Sequence, residues 1–171
     1  MLHIYTGDGK GKTTCAIGLA IRFAGTGGNV LFSQYMKGSK SSELNTLNLI
    51  PNIEVVRNSQ DFGFYHSMTH QQRLKMLSMH NETLNYCCSM AETSKYGLIV
   101  LDEITYAYNF DLIDRYTVEN FIDEYSKKLE IVITGQSPDD YFLSRADYIT
   151  EMKKIRHPYD MGIVARVGIE Y

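Results

Sequence analysis

The sequence predicts an α/β domain built on a mainly parallel central sheet. Three observations carry that prediction. Short apolar runs of strand type alternate with stretches of helical period along the chain. A glycine-rich turn, Thr6 to Thr14, joins the first strand-like run to the first helical one. A later apolar strand, Leu98-Ile99-Val100-Leu101, ends in two acids, Asp102-Glu103. The 171 residues fit one domain, 1–171, with no linker, repeat or low-complexity tract.

The elements follow in order. Leu2–Tyr5 is the first strand, and the first helix runs from Lys12 to Ala24, where Gly25-Thr26-Gly27-Gly28 stops it. Val30–Gln34 is the second strand, followed by a loop holding Lys37, Gly38 and Ser39–Ser42. Ile53–Arg57 is a short third strand. The longest helix is expected from Thr69 to Ser94, with Leu74, Leu77, Asn81, Leu84, Cys88 and Ala91 as its buried stripe or, in a second use, a dimer seam. After Leu98–Leu101 comes a helix from Asp114 to Lys127 burying Val118, Phe121, Ile122 and Tyr125. Ile131–Thr134 is a strand closed by Gly135, Asp139–Ala146 a short helix, Tyr148–Met152 a strand, and Gly162–Tyr171 a final β-like segment.

Composition narrows the function. A net charge of −3 argues against generic nucleic-acid binding, which uses a basic face. Apolar content of 44% and charged content of 22% are ordinary for a globular protein. No apolar run approaches the length of a membrane span and no signal peptide precedes the first strand, so a cytoplasmic protein without membrane partners is expected. The three cysteines form no disulfide framework. Cys15 reads as small core filler, and the vicinal Cys87 and Cys88 as reduced thiols. Without a Cys-x-x-Cys pair no structural zinc is expected.

The turn Thr6-Gly7-Asp8-Gly9-Lys10-Gly11-Lys12-Thr13-Thr14 carries the chemistry. A glycine-rich loop entering a helix N-terminus points backbone N–H groups and the positive end of the helix dipole at one place, which suits phosphate. Lys12 adds a mobile cation, and the Thr13 hydroxyl suits Mg²⁺. The loop is a Walker A motif with Thr6 in place of its first glycine. Asp102-Glu103 fits the matching Walker B strand, whose carboxylate faces the loop beyond the carboxyl ends of the strands. Lys10, Lys37 and Lys40 supply further cations nearby. Asp61-Phe62-Gly63-Phe64-Tyr65-His66 reads as an aromatic loop plugging the core edge or as a ligand-contacting flap. His66 and His70, lacking a third ligand nearby in sequence, read as surface histidines. Lys153–Pro158 is a basic turn that alone reads as a solvated charge run and, if placed near a nucleotide, as a contact for phosphate or substrate.

Taken together, these motifs resemble the P-loop ATP:corrinoid adenosyltransferases. The likeness runs nearly end to end. It takes in Tyr5–Thr14 with its threonine at the first Walker position, Gly18–Arg22, Gln34–Gly38, Gly63-Phe64, Val100–Glu103, Thr134-Gly135, Ala146–Met152, His157-Pro158-Tyr159 and Gly168–Tyr171. The resemblance implies a three-layer P-loop NTPase-like fold. It also implies a reaction in which cob(I)alamin attacks the ribose 5′ carbon of ATP, takes the 5′-deoxyadenosyl group and releases triphosphate.

In that family the nucleotide lies reversed in the loop, with the α-phosphate where a hydrolase holds the γ. By resemblance, Thr6, Gly7, Asp8, Gly9, Lys10, Gly11, Lys12, Thr13 and Thr14 hold the triphosphate, Arg22 adds cationic contacts, and Thr13 with Glu103 ligates Mg²⁺. Phe64 matches the first of the family's aromatic side chains that displace the lower cobalt ligand and so ease reduction of cobalt(II). The second position, commonly Trp, is His66 here, with Tyr65 as a neighbouring substitute, and Gln136 replaces a frequent Arg. A homodimer and a reductase or flavin electron donor are implied as partners. Longer members carry an N-terminal extension over the active site that this sequence lacks, so a more open corrin site is expected. The competing readings are a P-loop nucleoside kinase or ATPase, and a nucleotide-gated binding protein without turnover.

Overall fold

The computed structural model describes residues 1–38 and 41–170. Ser39, Lys40 and Tyr171, which the sequence places in the loop and the last segment, lie outside them. Six strands form one sheet: β1 Leu2–Thr6, β2 Val30–Gln34, β3 Ile53–Arg57, β4 Leu98–Asp102, β5 Glu130–Thr134 and β6 Tyr148–Glu151. Their order is β3-β2-β4-β5-β1-β6, and every pairing is parallel. The helices are α1 Lys12–Ala24, α2 Glu43–Leu47, α3 His70–Glu92, α4 Ile104–Asn109, α5 Arg115–Tyr125 and α6 Asp140–Leu143.

Right-handed crossovers sort these helices onto two faces. The chain moves from β1 through β2 to β3, toward one edge of the sheet, and the helices of that leg, α1 and α2, pack on one face. From β3 it moves back through β4 and β5 to β6, and α3, α4, α5 and α6 pack on the other. The result is three layers, as expected. Alternation along the strands feeds both cores. Val30, Phe32, Val100 and Val132 meet the Ala16, Ala20 and Ala24 face of α1. Leu31, Ile99, Leu101, Ile131 and Ile133 meet Leu84 and Cys87 of α3 and Val118, Phe121 and Ile122 of α5. The alanines leave little side chain between α1 and the sheet, which fixes the helix closely behind its loop.

Several expectations are corrected. Cys15 is only half-buried, since α1 turns its alanines to the sheet; all three cysteines are free. The buried stripe of α3 is Met76, His80, Thr83, Leu84, Cys87 and Ala91. Leu74 is 53% exposed, and Leu77, Asn81 and Cys88 are half-buried. Two polar residues, His80 and Thr83, occupy core-facing positions because each has hydrogen-bond partners there. A pattern read from apolar residues alone rotates the face away from them. Helix α3 starts one residue after the expected Thr69, which with Gln72 forms a reciprocal capping box, and ends at Glu92.

Helices α2 and α4 are additional to the sequence reading. In α4 the spacing of Ile104, Ala107 and Tyr108 is the signal that marks it. Over its described residues, 162–170, the final segment is no strand. A 3₁₀ turn over Pro158–Met161 is followed by turns, and exposed β6 is the last strand of the sheet. Among the described residues, no helix is long and apolar enough to cross a membrane.

Candidate active site

Parallel register brings the carboxyl ends of four strands to one rim. Gln34 pairs with Asp102, Leu101 with Ile133, and Tyr5 with Thr134. The turn after β1 rises from this rim and enters α1. It is pressed against the exit of β6: the Gly9 N–H donates to the Met152 carbonyl at 2.6 Å, and the Met152 N–H to the Thr6 carbonyl at 2.8 Å. A Cβ on Gly7 would stand 2.4 Å, and one on Gly9 2.6 Å, from the Met152 carbonyl oxygen, so only glycine fits at either place. Gly7 also has a φ of +104°, which favours glycine. The Asp8 carboxylate accepts the Lys154 N–H at 2.9 Å, and that bond first of all holds its pKa below the ordinary range.

Lys12 folds over the loop and donates to the carbonyls of Gly7 (2.7 Å) and Gly9 (2.9 Å). Burial lowers its pKa, against the pull of Glu103, Asp8 and Asp102. Asp102, fully buried at the end of β4, is the hub of the rim. Its Oδ1 accepts from the hydroxyls of Thr13 (2.9 Å) and Thr134 (2.7 Å). Its Oδ2 accepts from Gln34 Nε2 (3.1 Å) and Lys37 Nζ (3.3 Å). The Thr134 hydroxyl in turn accepts the Glu103 N–H at 2.8 Å. β5 lies between β1 and β4, so Thr134 bridges a gap that the two Walker segments alone would leave.

Glu103 has a left-handed backbone, φ 63°, where β4 turns directly into α4. That turn carries its side chain to the cleft while Asp102 points into the rim. Burial pushes the Glu103 carboxyl up to about 7, with Lys37 pulling the other way and Asp102 adding to the rise. Lys37 Nζ lies 3.3 Å from Asp102, 3.8 Å from Glu103 and 3.9 Å from Glu43. Burial opposes its charge, but the three carboxylates outweigh burial and hold its pKa above the usual lysine value.

These groups line an open cleft of about 700 Å³. Its walls are residues 8–14 of the loop, Lys37, Glu43 and Glu103, with His157, Gly168, Ile169 and Glu170 from the last segment. Of the basic turn, His157 reaches the cleft, while Lys154 pairs with Asp160 at 3.0 Å. Thr6 and Gly7 lie beneath the loop and do not line the cleft. The structure does not bring Arg22 to it: Arg22 is exposed on the last turn of α1, at the opposite end from the loop. Thr134, Gln34 and Glu43 were not singled out as site residues by sequence; a polar residue closing an apolar strand is the signal for the first two.

The aromatic loop stands apart from the cleft. Phe64 is 88% exposed. Tyr65, in contrast, stacks on Phe110 with ring centroids 4.2 Å apart, and the Arg73 guanidinium lies 4.3 Å from its centroid. His66 is exposed and meets Tyr65 edge-on at 5.6 Å. Exposed His70 starts α3. Among the described residues, no three His, Cys, Asp or Glu side chains form a metal-holding group.

Residues 1–171 match the family of the ATP:corrinoid adenosyltransferases BtuR/CobO/CobP. The chain belongs to that family. It is 30% identical over 171 residues to the corrinoid adenosyltransferase of Escherichia coli (strain K12), covering 100% of this chain and 85% of that protein. It is 29% identical over 171 residues to the corrinoid adenosyltransferase CobA of Salmonella typhimurium (strain LT2), with the same coverage. Among solved structures it is similar to EssC (ATPases 2 and 3) from Geobacillus thermodenitrificans, with a TM-score of 0.50 and 12% identity over 98% of this chain and 34% of that one. At that identity the likeness speaks for the fold alone, that of an ATPase. The chain is therefore a corrinoid adenosyltransferase that uses ATP, and the kinase and non-turnover alternatives are not favoured.

Proposed function

We propose that the cleft binds the triphosphate of ATP on residues 8–14, with Thr6 and Gly7 supporting the loop from beneath, and that cob(I)alamin approaches from the side of Phe64 and His66. The observation that carries this reading is the rim cluster, in which the Thr13 hydroxyl is hydrogen-bonded to buried Asp102 beside Glu103 at the mouth of a helix N-terminus. Cobalt(I) supplies an electron pair to the ribose 5′ carbon. The C5′–O bond breaks, and its pair leaves with triphosphate. Negative charge grows on the oxygen at the breaking bond, where preorganised donors lower the barrier. Lys12 is poised to give up the Gly7 and Gly9 carbonyls for that oxygen, and the loop N–H groups share the charge.

The donors fit Mg²⁺, which commonly takes one or two carboxylates and relies on substrate phosphates and water for the rest. Thr13 and Glu103 would hold it, with Asp102 orienting the Thr13 hydroxyl. When bound, it neutralises part of the triphosphate charge. Arg22 would act only on parts of the nucleotide or a partner beyond the cleft. Phe64 is free to enter a corrin face, whereas Tyr65 is committed to Phe110 and does not substitute for the missing Trp. His66 packs by its ring edge and does not ligate cobalt, since ligation would oppose reduction. We read the chain as one domain, 1–171, working in the cytoplasm as a homodimer, with a reductase or flavin supplying electrons.

The test is incubation with ATP, Mg²⁺ and chemically reduced cobalamin. Adenosylcobalamin and inorganic triphosphate are expected in equal amounts. ADP with phosphate in their place would overturn the reading.

A further inference from the structure

Lys37 is a feature of the cleft that the proposed nucleotide chemistry leaves unused. Its ammonium sits among Asp102, Glu103 and Glu43 and lies 3.3 Å from the Thr13 hydroxyl. These are the donors a divalent ion would use. Ammonium and metal would contend for one set of oxygens. Lys37 also lies on a tightly specified backbone. Met36 before it has a left-handed φ of 55°, and its N–H donates to His80 Nε2 at 3.2 Å. After it, a Cβ on Gly38 would stand 2.1 Å from the Gln60 carbonyl oxygen. Four rotatable side-chain bonds then let the ammonium move while its backbone stays fixed.

We propose that Lys37 is a tethered counter-ion that occupies the divalent-cation position of the nucleotide-free enzyme and excludes the bare metal. Resting on the ATP-site reading above, the inference assigns Lys37 two successive partners. Without nucleotide it neutralises the rim carboxylates. When the metal arrives with the polyphosphate, the metal takes the carboxylates and the ammonium turns to the phosphates, where it adds a second cation to that of Lys12. Metal then loads with ATP and not ahead of it. A purely structural ion pair would stay put.

The experiment measures Mn²⁺ binding by electron spin resonance, alone and with ATP, for wild type, Lys37→Met and Lys37→Gln. Wild type is expected to bind Mn²⁺ weakly by itself and well with ATP. Lys37→Met, with the carboxylates uncompensated, is expected to bind bare Mn²⁺ at least about tenfold more tightly than wild type and Mn²⁺·ATP about tenfold more weakly. Lys37→Gln repeats the test with a polar side chain should the methionine variant not fold. Loss of affinity for both forms overturns the inference in favour of a structural role. So does unchanged bare-metal affinity in a folded variant, or wild type binding bare Mn²⁺ as tightly as Mn²⁺·ATP. Wild type that binds no Mn²⁺·ATP at all overturns the underlying site reading, and the inference with it.

Discussion

The nucleotide cleft and the aromatic flap are built in opposite ways. The cleft grows from strand ends locked in register, and its buried hub, Asp102, accepts four side-chain hydrogen bonds. The flap hangs between β3 and α3. It is fastened by the Tyr65–Phe110 stack and the Arg73 contact, and it leaves Phe64 exposed. The difference follows the chemistry proposed for each. Stabilising a leaving triphosphate calls for fixed dipoles that need no rearrangement when charge appears. Admitting a broad planar corrin calls for a surface that can shift.

The largest break in the comparison should come from Lys12→Ala. Turnover should fall by about 10²–10³ under saturating ATP while the melting temperature changes little, because the fixed half loses its main cation but keeps its scaffold. A variant retaining more than roughly half of wild-type activity would remove the loop from the mechanism.

Next in size is an acid effect on the scaffold below Lys37. Burial lowers the His80 pKa to about 4, despite the Leu112 carbonyl that accepts from Nδ1–H at 2.8 Å. The folded form therefore holds His80 neutral, whereas the unfolded chain protonates it near 6.5. Its contribution is present above 6.5 and is lost as pH falls toward 4, amounting to ~3 kcal/mol. Urea melts of wild type and His80→Gln between pH 7 and 4 should converge as pH falls; parallel curves would contradict this account.

Phe64→Ala probes the flap. Activity should drop several-fold more when cob(II)alamin must be reduced on the enzyme than when cob(I)alamin is supplied, with ATP affinity near wild type. Equal losses in the two assays would make Phe64 a packing residue. The smallest effect is expected from Phe110→Leu. Losing the stack should cost about 1 kcal/mol of stability and loosen the flap, raising amide exchange across residues 61–67 but not in the loop at 7–14. Exchange rising equally in both regions would mean that the flap and cleft form one cooperative unit.

Much of this was legible in the residues, for local reasons. α1, β2 and β3 begin and end where their patterns place them. Local residues mark them, as the glycines after Ala24 mark the end of α1 and the apolar run Val30–Phe32 marks β2. The paired acids of β4 were legible too; their pattern left open which did what, and the family resemblance singled out Glu103. Asp102 became the buried hub and Glu103 the cleft carboxylate, because the left-handed turn at Glu103 separates their directions. Helix α4 was missed because it starts within one residue of a strand, without a capping side chain. The α3 face was misread because its buried His80 and Thr83 are satisfied by partners distant in sequence, at Leu112 and Asn58.

By itself the sequence determined the α/β alternation, the phosphate loop with its helix, and the family. These depend on spacing within short windows and on motif order, which no packing event alters. Tertiary structure alone decided the strand order, and with it the insertion of β5 between β1 and β4 that delivers Thr134 to Asp102. It also decided that Lys37 sits among three carboxylates from two different segments. The physical reason is the range of the interaction. Helix and strand periods act over a few residues, whereas a charge cluster is assembled by crossovers that join residues dozens of positions apart.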